Sequence, residues 1–388
     1  MSASLAESAT SPATAAFPEV VEQSSVVVCC GSGGVGKTTA AAVIALRAAR
    51  SGRRSVVVTI DPARRLADAL GLEGLTNTPT RIEGITSADG NGEMWAMMLD
   101  TKATFDGLVQ RYSTDAQQAQ RILDNAFYQN ISGSLSGTQE YMASEKLYEL
   151  AIEGDFDLVV VDTPPTRNAL DFIDAPQRLA QFLSHPLYRV FMAPTRGIVK
   201  VVNVAAQALT RSLAKVVGAE VIGDAIAFFS AFEGMEAGFA ERAERVDQLL
   251  RARSTAFVLV ASPKADTVAE ADYFATELHR HDIDVRALII NRMQPSFAGA
   301  AGGEHHSPTG PDAVRARAES LEGTELGDLY TSLADARELA RDEERHLVGL
   351  ATRLHGAPVV RVPVQPFEVT DLASLGALGD VMFSTNTG

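Results

Sequence analysis

Eight residues, Gly31-Ser32-Gly33-Gly34-Val35-Gly36-Lys37-Thr38, restrict this chain more than any other stretch. They follow a short apolar run, Ser25 to Cys30, and open an alanine-rich segment of helical spacing that stops at Ser51-Gly52. G-x-x-x-x-G-K-[ST] between a strand and a helix reads as a phosphate-binding loop. Its glycines let backbone N–H groups wrap a phosphate chain, and the helix N-terminus adds partial positive charge. Gly33, Gly34, Val35 and Gly36 then supply the cradle, with Thr39 just behind it. Lys37 is placed to reach the β- and γ-phosphates of ATP, and the Thr38 hydroxyl to ligate Mg²⁺. An ordinary glycine turn does not account for the Lys-Thr pair.

The rest of the chain supports a sheet built around that loop. Ser55 to Ile60, Met94 to Leu99, Leu158 to Val161, Ala256 to Ala261, Val285 to Ile290 and Pro358 to Val362 are short apolar runs separated by helical patterns. Alternation of this kind predicts an α/β P-loop NTPase fold, a mostly parallel sheet flanked by helices. Two stretches without strand signals, about 101–155 and 168–253, predict an inserted helical lobe. Residues 1–23 read as a disordered tail and 24–388 as one ATPase domain. Residues 294–324 read as a mobile loop, because Gln294 to Pro311 is rich in Gly, Ala, Ser and Pro. His305-His306 lies within it without further metal-ligand spacing.

Composition excludes several classes. The net charge is −15, which argues against nucleic acid as a partner. No apolar run reaches the ~18 residues of a membrane span, so no integral membrane segment is expected. The first residues lack the basic start and apolar stretch of a signal peptide, and the expected location is cytoplasmic. The two cysteines, Cys29 and Cys30, are adjacent at a strand end. Their side chains should point to opposite faces, which disfavours both a disulfide and a thiolate metal site.

Two acids join the loop. Asp61, in Asp61-Pro62-Ala63 after the second strand, falls on the same sheet edge and could orient or activate a water toward the γ-phosphate. It could equally cap the next helix, with Pro62 at its first position. Asp162 ends the run Val159-Val160-Val161, the Walker B arrangement for holding Mg²⁺. Thr38, Asp61 and Asp162 are therefore the metal-site candidates, and Lys37, Asp61 and Asp162 the catalytic ones. Asn291-Arg292 and Pro363-Val364-Gln365-Pro366-Phe367-Glu368 follow later strands; Asn291, Arg292, Pro363 and Phe367 could hold the base, or simply make turns. Phe228, Phe229, Phe232, Met235 and Phe239 share a helical face, either as core or as a groove for a hydrophobic protein client.

Gly-Gly-Val-Gly-Lys-Thr-Thr, Asp61-Pro62-Ala63 and Asp162-Thr163-Pro164-Pro165-Thr166 resemble the ArsA family of deviant Walker ATPases. That family includes the arsenite-pump ATPase and the eukaryotic tail-anchored-protein targeting ATPase. The stretch TIDPARRLADALGL is most similar to its actinobacterial members. The resemblance implies a nucleotide-driven dimer in which Asp61 positions the attacking water in switch I and Asp162 to Thr166 form switch II. It implies that Asn291 reads adenine. Ser132 to Glu140 lies where the family carries an element of the dimer face, or is a plain helix start. The family usually has Lys at the position of Ser32, reaching across the dimer to the partner's phosphates. Serine cannot carry that charge, so the expected partner is a Lys-bearing paralogue, with a slow homodimer or another cation such as Arg64 as alternatives. The thiols of the arsenite-pump members and the Cys-x-x-Cys clasp of the targeting members are both missing. The resemblance thus implies protein targeting or client handling, with an anion or metalloid pump subunit as the alternative.

Overall fold

The computed structural model describes residues 16–61, 65–87, 90–131, 138–164, 166–184, 218–295, 297, 311–354 and 356–384. Most of the expected tail, Pro62, Ala63, Arg64, Pro165, the His305-His306 pair, residues 132–137 and residues 185–217 of the second helical stretch lie outside them.

Strand β1 (Val26–Gly31) is buried along its whole length. Val26, Val28 and Cys30 face one apolar cluster, and Val27 and Cys29 face another. A strand that is apolar on both sides belongs in the middle of a covered parallel sheet. It pairs in parallel with β5 (Leu158–Asp162) and β6 (Thr255–Ala261). Among the described residues the sheet has eight strands, with β2 spanning Arg54–Thr59, β3 Thr80–Arg81, β4 Glu93–Met98, β7 Val285–Met293 and β8 Val359–Pro363, in the order β3-β4-β2-β5-β1-β6-β7-β8. Pairing is parallel except at the edge, where β3 (Thr80–Arg81) runs antiparallel to β4. The α/β expectation is therefore met. The one strand without a sequence signal is β3, whose two exposed residues make no apolar run.

Helix α1 (Phe17–Glu22) was expected to be part of a disordered tail. It is instead packed on the sheet, with Phe17, Val20 and Val21 buried and the Phe17 ring 4.9 Å from that of Phe383. Helix α2 (Lys37–Arg50) presents alanines to the same face, which lets it lie close to the strands. After α3 (Arg65–Leu70) and β4 the chain leaves the sheet. Helices α4 (Thr101–Tyr112), α5 (Ala116–Leu123), α6 (Ala126–Ile131) and α7 (Thr138–Tyr148) follow, the first two capped by Asp100 and Asp115. A π-helical turn, Glu149–Glu153, returns the chain to β5. Helices α8 (Thr166–Ser184), α9 (Ala219–Ala231) and α10 (Glu236–Leu250) follow among the described residues of the helical region.

That region has its own apolar cluster, and Phe228, Phe232, Met235 and Phe239 are buried inside it. Phe228 lies against Tyr128 and Phe127, and Phe239 against Tyr112 and Phe232. Among the described residues the aromatic stripe is thus core, with Phe229 partly buried against the same cluster, and it forms no client groove.

Helices α11 (Ala265–Arg280), α12 (Pro311–Ser320), α13 (Glu325–Arg353) and α14 (Leu372–Phe383) finish the described chain. Residues 311–320 were expected in a mobile loop. They form α12 because Val314 and Ala318, one turn apart, are buried there. No described helix is long and apolar enough to cross a membrane.

Candidate functional site

The strand order β2-β5-β1 sets three carboxyl ends side by side. Register places Thr59 on one side of Asp162 and Cys29 on the other. The phosphate-binding loop leaves β1 at this edge, and the chain carrying Asp61 leaves β2 there. The Lys37-Thr38 pair, Asp61 and Asp162, separated in sequence, therefore converge through topology.

The loop is shaped by two close approaches. A Cβ on Gly31 would stand 2.0 Å from the Val260 carbonyl oxygen of β6, so any side chain there would push the two strands apart. Gly36 has φ +100°, and a Cβ would meet Asn291 Nδ2 at 2.3 Å. Only glycine fits that combination of left-handed backbone and crowding. Gly34 is also left-handed but opens onto space, with no atom within 4 Å of a Cβ position. That open, glycine-lined turn at a helix N-terminus suits a phosphate chain.

Lys37 is buried, and its Nζ donates to the carbonyl oxygens of Gly31, at 2.9 Å, and Ser32, at 2.7 Å. Burial pulls its ammonium pKa down, and the carboxylates of Asp162 and Asp61 oppose that shift. Ser32 is only 5% exposed, and its hydroxyl is buried without a hydrogen-bond partner. Its side chain is thus packed within the chain's own loop.

Asp162 is 1% exposed. Its Oδ2 accepts from Thr38 Oγ1 at 2.7 Å and from Thr59 Oγ1 at 3.0 Å. Its Oδ1 is buried and has no hydrogen-bond partner. Burial raises its pKa, and the hydroxyls of Thr38 and Thr59 and the charge of Lys37 pull it back. A carboxylate oxygen left unpaired in the interior is costly unless something binds it. Hard oxygen donors from one carboxylate and one hydroxyl, with other positions left to water and phosphate, suit Mg²⁺. The residues therefore fit a nucleotide-bound divalent cation at Thr38 and Asp162. Among the described residues no group of three or more His, Cys, Asp or Glu could hold a metal alone.

Asp61 lies at the edge of this cluster. Its backbone N–H donates to Thr59 Oγ1 at 3.3 Å, and its carboxylate stands 3.5 Å from Arg65. The side chain is a quarter exposed, which leaves it accessible to water. Gln139 of α7 donates to the Ile60 carbonyl at 3.3 Å, so the helical region touches the segment bearing Asp61. Thr163 is tied to β1, its hydroxyl donating to the Cys29 carbonyl at 2.8 Å.

Asn291 and Arg292 meet the loop from outside. Asn291 Nδ2 donates to the Val35 carbonyl at 2.8 Å, and its Oδ1 accepts from the Arg292 N–H. Arg292 has φ +62°, unusual for a branched-free cationic residue, and donates to the Gly34 carbonyl at 3.1 Å. The pairing of β7 with β8 shifts register at this point. Asn291 and Arg292, expected at the base, thus brace the phosphate-binding loop. Pro363 ends β8, opposite Met293, and Phe367 lies beyond it, 37% exposed. Sequence reasoning missed Thr59. A threonine at a strand end reads as β-propensity, and only the register shows what its hydroxyl meets.

Both cysteines are free, buried, and divided between the two faces of β1. Burial pushes the Cys29 thiol well above its ordinary value and the Cys30 thiol up to about 12.

Comparison with known sequences agrees with the fold. The sequence model of the family described as "Anion-transporting ATPase" (ArsA) matches residues 24–299, well over half of the chain. The chain is similar to "ATPase ARSA2" of Chlamydomonas reinhardtii, 28% identical over 272 residues, covering 67% of this chain and 65% of that protein. It is similar to "ATPase ASNA1 homolog 1" of Paramecium tetraurelia, 26% identical over 259 residues, covering 64% of this chain and 69% of that one. "ATPase GET3A" of Arabidopsis thaliana is 24% identical over 253 residues, covering 64% of this chain and 61% of its own length. The chain spans less than two thirds of the length of the first relatives it matches.

Proposed function

The chain belongs to the anion-transporting ATPase (ArsA) family, and from that premise we propose that it is a cytoplasmic Mg²⁺-dependent ATPase whose hydrolysis switches a dimer between open and closed states. The observation that carries this reading is Asp162, buried beside the phosphate-binding loop with one oxygen on the Thr38 and Thr59 hydroxyls and the other unpaired. Lys37 and the N–H groups of Gly33 to Thr38 bind the β- and γ-phosphates. Thr38 and Asp162 would hold the metal, which would supply charge neutralisation at the phosphates. Asp61 orients the attacking water and accepts its proton. Asn291, Arg292, Pro363 and Phe367 border the base.

The work done by the switch is protein targeting or client handling. Relatives named as ATPases of the ASNA1 and GET3 types support that direction. The aromatic stripe does not provide the client surface, since it is core. The partner is a paralogue with lysine at the position of Ser32, or a second copy turning over slowly. The packed, uncharged Ser32 side chain supports this, because it cannot extend a cation to a neighbour. The family's printed description favours a second reading, an anion- or metalloid-pump subunit. Two thiols on opposite faces of a strand oppose the metalloid form of it.

The test is a set of three variants assayed for ATP binding and turnover. Lys37→Ala should abolish tight ATP binding. Asp61→Asn should bind ATP as the parent does and lose turnover. Ser32→Lys should raise the rate of the isolated protein, since a trans-acting cation can be worth ~10³ in rate. Parental turnover in Asp61→Asn removes that residue from catalysis. A parent already as fast as Ser32→Lys removes the need for a lysine-bearing partner.

A further inference from the structure

One hydroxyl joins the two acids of the site. Thr59 is the last residue of β2 and the register neighbour of Asp162 on β5. Its side chain is almost wholly buried. Two acceptors lie within reach of the single proton on Thr59 Oγ1, and Asp162 Oδ2 at 3.0 Å is closer than the Asp61 carbonyl oxygen at 3.5 Å. Thr59 Oγ1 also accepts the backbone N–H of Asp61 at 3.3 Å. A hydroxyl can donate once and accept at the same time, so both bonds form together. They place the carboxylate that faces the metal and the backbone that carries the water-orienting acid on one atom.

The neighbouring bonds make this bridge specific. Asp162 Oδ2 takes a second donor from Thr38 at 2.7 Å. The Ile60 N–H donates to the Asp162 backbone carbonyl at 3.1 Å, which fixes the strand ends but leaves both carboxylates untouched. Among the described contacts, Thr59 is where the carboxylate of Asp162 and the turn at Asp61 meet. Thr38 has a rival duty at the metal, whereas Thr59 lies on the far side of Asp162, toward β2. Its bond can persist when Thr38 turns to another partner.

We propose that Thr59 is a positioning residue: its hydroxyl aims the free oxygen of Asp162 and simultaneously sets Asp61, so that a metal held at Asp162 and the water held by Asp61 fall into register. The proposal rests on the reading of this site as a Mg²⁺-dependent ATPase. It predicts a split between binding and turnover. Phosphate binding by the loop and Lys37 does not pass through Thr59. Metal affinity passes through it in part, and so does the placement of Asp61, which Arg65 and the Ile60 N–H bond to the Asp162 carbonyl also steady. A residue that merely filled space would show no such split.

The experiment compares the parent with Thr59→Val, which keeps shape and removes the hydroxyl, and Thr59→Ser, which keeps the hydroxyl and removes a methyl. Three quantities are measured on each: ATP affinity in EDTA by calorimetry, Mn²⁺ affinity in the presence of ADP by paramagnetic resonance, and steady-state kcat and KM. Thr59→Val should match the parent's affinity in EDTA, bind Mn²⁺ severalfold more weakly, and lose at least tenfold in kcat with KM within about threefold. Thr59→Ser should recover most of the kcat. A Thr59→Val protein with parental kcat and Mn²⁺ affinity overturns the proposal, as does a Thr59→Ser protein no better than Thr59→Val. If Thr59→Val does not fold, Thr59→Ala takes its place, with thermal melting as the control and the same criteria. Failure of the ATPase reading is distinguishable, because then the parent itself neither binds Mn²⁺ with ADP nor turns over ATP.

Discussion

Two buried carboxylates, Asp162 at the sheet edge and Glu145 in the helical region, are each 1% exposed, and each keeps one buried oxygen without a hydrogen-bond partner, Oδ1 in Asp162 and Oε2 in Glu145, yet their other oxygens are held in opposite ways. Glu145 of α7 has its own cation. Arg242 of α10 donates to it through Nε at 2.7 Å, bonds Glu153 as well, and lies over the Tyr148 ring at 3.9 Å. Asp162 has no such partner in contact; two neutral hydroxyls hold one oxygen, and Lys37 spends its hydrogen bonds on the carbonyls of Gly31 and Ser32. Burial raises the pKa of both acids. In Glu145 the opposing force is first the Arg242 hydrogen bond, in Asp162 the threonine hydroxyls. A paired charge of the first kind fixes the junction of α7, α10 and the π-helical turn. An incompletely compensated one of the second kind is suited to receiving a cation.

The comparison breaks most visibly if the two acids exchange behaviour on mutation. Asp162→Asn keeps the shape and removes the charge. Turnover should fall by roughly 10²–10³ or more, the size expected when a fixed electrostatic contact to the reacting phosphates is lost. Stability should not fall with it. The folded-state pKa of Asp162 is raised, so its ionised form disfavours folding above that pKa, and removal of the charge should leave the protein at pH 7 as stable as the parent or more so. Urea unfolding and ATPase rate on the same preparation check both halves.

Arg242→Leu should do the reverse. It leaves Glu145 buried without its cation, and breaking such a pair by removing one partner costs about 3–5 kcal/mol. The double variant Arg242→Leu/Glu145→Leu should recover a large part of that loss. Equal destabilisation in the single and double variants would show that Arg242 acts through packing over Tyr148 and not through the charge of Glu145.

Much of the contrast was hidden in the sequence, for a physical reason. The site's parts are local motifs: Gly31 to Thr38 and Val159 to Asp162 declare their chemistry within eight residues, because strand, turn and helix start must follow one another there. The central strands were legible for the same reason, as apolar runs between helical patterns. Glu145 and Arg242 are 97 residues apart on helices whose polar residues look solvated when read alone. The burial of Phe228 and Phe239 was equally undecidable, since a core face and a docking face have the same period. Helices α1 and α12 went unread because each is short and gains its order from what it packs against. Thr59 and the bracing by Asn291 and Arg292 depend on which strands are neighbours, which no local pattern states.

A smaller effect sharpens the comparison through pH. A metal at Asp162 competes with a proton, and the raised pKa moves that competition upward. Divalent-cation affinity should therefore begin to fall, as pH is lowered, above the ~3.9 at which an ordinary aspartate titrates. Mn²⁺ affinity measured across acidic to neutral pH checks this. An affinity that stays flat until an ordinary aspartate would protonate means that the metal's own charge, or the threonine hydroxyls, offset the burial of Asp162 completely.

The smallest expected effect is none at all, and it concerns the third set of buried titratable groups. Cys29 and Cys30 sit next to the site in sequence, and a thiolate pair there would give soft metalloids a foothold that Asp162 and Glu145 cannot. Geometry and charge both prevent it. The side chains enter opposite apolar clusters, and burial holds both thiols in the protonated form, Cys30 up to about 12. The carboxylate of Asp162 adds to the shift at Cys29. Metalloid binding needs several thiolates around one centre, so arsenite and antimonite should leave the ATPase rate unchanged. The Cys29→Ser/Cys30→Ser variant should respond in the same way, apart from any loss of stability from two buried hydroxyls. A severalfold stimulation of the parent that vanishes in that variant would return the pump reading. It would also mean that β1 opens enough to bring its two faces together, which the continuous pairing with β5 and β6 opposes.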